Sequence, residues 1–177
     1  MTQRGDYTSL RRQIKDGDLI AIRGRTGLLP RLTRWVTGSP YTHTAIAVWM
    51  GARLLVAEMK GDGNHLVPLS QYANKEFDVY APPNLASIDE RTRIVHWLEE
   101  SLQGHIAYDW LDLVRLALWH CLRVPMPPED FWRLVCSGYS YLIYLRAGWQ
   151  QPYADPVSPA MLVARLGAPP VFEVRHV

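Results

Sequence analysis

YTHTAIAVWM (41–50) and RLLVAEM (53–59) flank the pair Gly51-Ala52, and the length of that turn decides how the chain folds. Both runs are rich in apolar, β-branched and aromatic residues, and a Gly-first pair between two such runs suits a type II′ hairpin turn. A two-residue loop opposes Met50 to Arg53 and therefore Ala45 to Glu58. Opposed residues share a face of the sheet, as do residues two apart on one strand. His43 thus lies diagonal to Glu58, at roughly 7–8 Å between backbones, within reach of a Glu side chain. A three-residue loop would reverse that parity. An exposed Glu58 would need no partner, but Leu54, Leu55, Val56, Ala57 and Met59 surround it, and a carboxylate among apolar neighbours requires one.

The second informative stretch is LVCSGYSYLIYLR (134–146), in which Cys136 and small or polar residues precede an apolar helical run. Ser137 is a candidate cap, Leu142, Ile143 and Leu145 are candidate core residues, and Arg146 and Gly148 mark the stop. A Cys at a helix start meets unpaired N–H groups and the positive end of the dipole, which stabilise a thiolate. The competing state is a small buried hydrophobe, the commonest role of a free Cys.

Working outward, the wholly apolar LIAI (19–22) after Asp16-Gly17-Asp18 predicts a central strand buried on both faces. Residues 28–36 suit a short helix ended by Gly38 and Pro40. Arg23, Arg25, Arg31 and Arg34 crowd this region and read as a solvated face. Residues 68–73 suit one helical turn, and 77–80 a strand. Ser87 and Glu90 have capping-box spacing and open a helix that runs to Gln103, with Gly104 as its stop. An apolar helix spans about 110–122, followed by a proline-rich loop at 125–128. Ser158, Pro159 and Gly167 frame a last helix before a closing strand at 171–177. Strands cluster early and helices late, so the class is α+β.

With 177 residues, 48% hydrophobic, the chain suits one compact domain over 1–177, with 1–16 as a polar lead-in. The net charge of +2 implies no nucleic-acid partner. The N-terminal residues have no apolar core of signal-peptide length, which predicts a cytoplasmic protein by default. The apolar stretch 110–124 is interrupted by Asp112, Arg115 and His120 and is too short to span a bilayer. Two Cys predict free thiols rather than a disulfide scaffold. The absence of HExxH, CxxC, glycine-rich phosphate loops and GxSxG disfavours metal, nucleotide and serine-hydrolase chemistry. No cofactor or metal is expected.

Cys136, His43 and Glu58 together supply a nucleophile, a proton shuttle and a group that orients the shuttle. Cys121 follows His120 directly, but consecutive helical residues point about 100° apart, so that pair is no dyad and Cys121 reads as core. His65, His96, His105, His120 and His176 lack a strand-adjacent carboxylate of suitable parity.

The ordered set GDLIAIRG, YTHTAIAV, LLVAEM, GHIAYDW, CSGYSYLIY and SPAMLVARL resembles the circularly permuted NlpC/P60 papain-like proteins over roughly residues 17–174. The His strand precedes the Cys helix, as in that permuted group. The resemblance implies a papain-like α+β fold, a small antiparallel sheet or barrel packed with helices. It also implies Cys136 as nucleophile, His43 as base, Glu58 as the residue that orients it, and Tyr108 as a tyrosine close to the Cys. Gly138 departs from the pattern, where many relatives carry a polar residue, usually Glu. The implied activity is cysteine-dependent cleavage of an amide bond in cell-wall peptides through a thioester acyl-enzyme. The alternatives are a lipid-directed acyltransferase or thioesterase, with 110–122 as a greasy wall, and a non-catalytic binding or assembly module. A wall-directed enzyme without a signal peptide would need lysis, a dedicated export route or a phage particle for delivery.

Overall fold

A computed structural model of the chain describes residues 2–24, 31, 34–35, 37–82, 84–85, 87–104, 106–108, 133–134, 136–151 and 157–175, with backbone alone at 107–108 and 133–134. The predicted helices at 28–36 and 110–122, the proline-rich loop and Cys121 lie wholly or largely outside these residues, as do His105, His120 and His176.

The hairpin forms as its turn dictates. Strand β3 (Tyr41–Met50) pairs antiparallel with β4 (Arg53–Lys60), with Met50 opposite Arg53 and Ala45 opposite Glu58. Gly51 has φ 60° while Ala52 stays out of the positive-φ region, as a type II′ turn demands. Strand β2 (Leu19–Arg23) lies between β3 and β6 (Phe77–Tyr80), and its Leu19, Ile20, Ala21 and Ile22 are all buried. A wholly apolar strand is what a position covered on both faces requires.

Two further strands at the margins were less legible. Strand β5 (Gly63–Pro68) extends the sheet beyond β4, where no strand was expected. Residues 1–16 are more than a polar lead-in. Strand β1 (Gln3–Gly5) pairs parallel with β9 (Phe172–Val174), helix α1 covers Tyr7–Leu10, and Leu10 and Ile14 are buried. The seven strands run in the order β1-β9-β6-β2-β3-β4-β5, antiparallel except at β1/β9. The sheet is therefore larger than expected, mixed at one edge, and open rather than closed into a barrel. A short parallel pair, β7 (Ala107–Tyr108) and β8 (Arg133–Leu134), stands apart.

Strand alternation sorts the core into two layers. Leu19, Ala21, Ile46, Val48, Ala57 and Met59 pack against the helices α2 (Ile88–Gln103), α3 (Cys136–Arg146) and α4 (Pro159–Leu166). Ile20, Ile22, Ala45, Ala47, Leu54 and Val56 pack against Leu10, Ile14, Leu69 and Tyr72 on the opposite face. The predicted caps form: Ser87 and Glu90 make a reciprocal capping box, Ser158 caps α4 with Pro159 in its first turn, and Gly167 ends it at φ 66°. The class is α+β, and among the described residues no helix is long and apolar enough to cross a membrane.

Nothing lies within 4 Å of the place a Cβ would occupy on Gly51, so strain at its positive φ alone opposes substitution. Gly51→Ala is expected to destabilise the fold by about 1–3 kcal/mol. In urea unfolding the midpoint should fall with the slope unchanged; an unmoved midpoint would contradict the turn assignment.

Candidate active site

The site lies where β3 and β4 part. Their pairing stops at Ala45 opposite Glu58, although β3 begins at Tyr41 and β4 continues to Lys60. The first residues of β3 therefore have no β4 partner, and the start of α3 approaches them there. The Thr44 hydroxyl donates to the Cys136 carbonyl at 3.2 Å and lies 3.3 Å from Ser140 Oγ, tying helix to strand. Ser140 also donates to the Cys136 carbonyl at 3.2 Å.

Cys136 is the first residue of α3 and is 8% exposed. The His43 ring and the backbone N–H groups of Thr44 and Ser137 act electrostatically on its sulfur and favour the thiolate. Ser137 does not cap the helix. It is buried within the first turn, and its hydroxyl donates to the Val157 carbonyl. Gly138 is buried as well. The helix buries Tyr139, Tyr141 and Tyr144 along with Ile143, while Leu142 and Leu145 are only half-buried, so its tyrosines displace two of the expected leucine anchors. It ends as predicted, with Arg146 in the last turn and Gly148 at φ 106°.

His43 Nε2 lies 2.6 Å from Glu58 Oε2. Burial raises the Glu58 carboxyl, but hydrogen bonds and charge from His43, Lys60 and Tyr72 outweigh it and hold the group well below the usual range. An ionised carboxylate only accepts, so Nε2 is the donor and Nδ1 is left to exchange a proton with the thiol. Burial lowers His43, yet the Cys136 sulfur and Glu58 together carry it up to about 9. Burial raises the Cys136 thiol, and the His43 charge with the two backbone donors brings it below its ordinary value. Opposite shifts on these two groups favour a thiolate–imidazolium pair.

Glu58 has further neighbours that were not anticipated. The Tyr72 hydroxyl, from the 3-10 turn Leu69–Tyr72, donates to Glu58 Oε2, and Lys60 Nζ lies 2.6 Å from Oε1. The period-2 rule places Lys60 on the face of Glu58 and could have found it; Tyr72 carried no such signal, because it arrives by tertiary packing. His65 was set aside for want of a strand-adjacent carboxylate, but β5 puts it directly opposite Glu58, and its Nε2 lies 2.8 Å from Asp62. Arg23, grouped with a solvated face, instead pairs with buried Asp78 at 2.5 Å. Arg31 and Arg34 are exposed, and Arg25 lies outside the described residues. Tyr108 sits in β7 opposite Leu134, and its side chain lies outside the described residues.

No family model and no curated protein matches the chain. Among solved structures, it is similar to the crystal structure of metalloprotein yiiX from Escherichia coli O157:H7, a DUF1105 protein, with a TM-score of 0.57 and 17% identity. The match covers 86% of this chain and 80% of that one. The likeness is one of fold.

If the ion pair holds, alkylation of Cys136 by iodoacetamide should run fast well below the ordinary thiol pKa of about 8.5. His43→Ala should remove that advantage and return the labelling midpoint to the ordinary range. Mass spectrometry locates the modified Cys; an inert Cys136 would refute the pairing.

Proposed function

We propose that the chain is a cysteine-dependent hydrolase of the permuted NlpC/P60, papain-like type, cleaving an amide bond in cell-wall peptides. The observation that carries this reading is the convergence of Cys136, His43 and Glu58, with Nε2 of His43 at 2.6 Å from a buried carboxylate.

The chemistry follows from the geometry. The Cys136 thiolate attacks the amide carbonyl carbon, and the carbonyl oxygen becomes an oxyanion. The Cys136 backbone N–H, in the first helical turn where intrahelical acceptors are lacking, is a donor suited to that charge. The His43 imidazolium gives its Nδ1 proton to the leaving amine, and a thioester remains on Cys136. Neutral His43 then takes a proton from water, the hydroxide attacks the thioester, and the acid leaves as the thiolate and imidazolium are restored. Glu58 stays ionised throughout and keeps Nε2 protonated.

Lipid-directed acyl transfer rested on residues 110–122, which lie outside the described residues, so no structural observation favours it. The word metalloprotein belongs to the structural neighbour. Among the described residues of this chain no group of three or more His, Cys, Asp or Glu is arranged to hold a metal ion, and the proposed steps use His43, Glu58 and Cys136 alone.

Purified muropeptides incubated with the protein should yield new amine and carboxyl ends, and Cys136→Ala should abolish them. Cleavage of phospholipid vesicles with intact muropeptides would replace this reading with the lipid one. A Cys136→Ala chain that keeps its biological role would favour a binding module. The dependence of kcat/KM on pH should be bell-shaped, rising as the thiol ionises and falling as His43 loses its proton near 9. Because Glu58 raises His43, Glu58→Gln should draw the alkaline limb toward neutrality and slow turnover by about 10–100-fold. An unmoved alkaline limb would count against the role given to Glu58.

A further inference from the structure

We infer that Tyr72 and Lys60 are positioning residues that pin the two oxygens of Glu58, so that the carboxylate holds His43 in one orientation toward Cys136. This rests on the reading of Cys136, His43 and Glu58 as a nucleophilic centre, and it adds two residues that the resemblance does not supply.

Several contacts converge on the assignment. The Tyr72 hydroxyl donates to Oε2, the oxygen that also accepts from His43 Nε2, while Lys60 Nζ sits 2.6 Å from Oε1. The terminal torsion of a Glu side chain is broad and soft when nothing restrains it. Here a rotation that improved one oxygen's contact would break the other's. The Tyr72 ring also stacks beside the His43 ring, with centroids 6.3 Å apart and planes 27° from parallel, so one side chain supports both the carboxylate and the imidazole. Finally, Lys60 and Lys75 place their ammonium groups 5.7 Å and 5.2 Å from the Tyr72 ring centroid, which favours the ring's position by cation–π attraction.

The local sequence explains the placement. Lys60 follows Glu58 by two residues on β4 and shares its face. Tyr72 closes the 3-10 turn that fully buried Leu69 anchors beneath the sheet. The charged and titratable groups facing this carboxylate are His43 and Cys136 from β3 and α3, Lys60 from β4 and Tyr72 from the turn. His65 on β5 is engaged by Asp62 instead. Burial and the Glu58 charge both raise the Tyr72 phenol, so it remains a protonated donor across the working range.

The test is the pH profile of Cys136 alkylation by iodoacetamide in the 177-residue chain, for wild type, Tyr72→Phe and Lys60→Met. Tyr72→Phe removes only the hydroxyl. It is expected to raise the labelling midpoint by about one unit, which is about tenfold slower labelling at pH 6, with the alkaline plateau unchanged. Lys60, partly exposed, is expected to give a smaller shift in the same direction. A purely structural role would lower the plateau or the melting temperature without moving the midpoint. Should Tyr72→Phe fail to fold, Lys60→Met tests the same clamp from its other oxygen. Wild-type midpoints in both variants would overturn the inference. An ordinary midpoint near 8.5 in the wild type would instead overturn the nucleophilic reading itself.

Discussion

A two-residue turn leaves a hairpin no freedom of register, and at Gly51-Ala52 that constraint reaches the candidate site some seven residues away. Because side chains alternate with period two, one residue more in the loop would send His43 and Glu58 to opposite faces. The turn holds, and a histidine and a carboxylate that are 15 positions apart in the chain meet at 2.6 Å. The same hairpin then parts beyond Ala45 and Glu58, opening the sheet where the Thr44 hydroxyl holds the Cys136 carbonyl.

Burial makes this contact consequential. A carboxylate removed from water loses several kcal/mol of solvation, and Glu58 has no exposed side-chain surface. A hydrogen bond to a charged group returns about 1.5–3 kcal/mol, so one partner would not suffice. Glu58 has two hydrogen-bond partners, His43 and Tyr72, and an ion pair with Lys60. The Cys136 sulfur and the Glu58 charge both raise His43, and the His43 charge in turn lowers the Cys136 thiol. The shifts depend on one another, and the site is a single electrostatic unit rather than three separate groups.

Much of this was legible because it rests on local rules. Turn length predicted the strand register, an apolar run predicted the central strand, and Ser, Pro and Gly punctuation placed α2, α4 and the end of α3. What escaped reading depends on tertiary contact. GNHLVP in β5 alternates poorly and is recruited by its neighbour β4, so His65 came to face Glu58 unannounced. Residues 3–10 look polar, yet β9 supplies a partner strand and Leu10 is buried. Ser137 has the chemistry of a cap, but the Val157 carbonyl claims its hydroxyl. Tyrosines fill the core side of α3 where leucines were expected, since Ser101 and Gly17 offer their hydroxyls partners.

The central claim is that His43 is an imidazolium held between a thiolate and a carboxylate, and NMR titration of its ring nitrogens reads that state directly. The account predicts a ring protonated on both nitrogens through neutral pH that titrates near 9, and a lower titration point in Cys136→Ala, where the thiolate is gone. A His43 that is neutral at pH 7, with the ordinary titration near 6.5 and no response to Cys136→Ala, would contradict it.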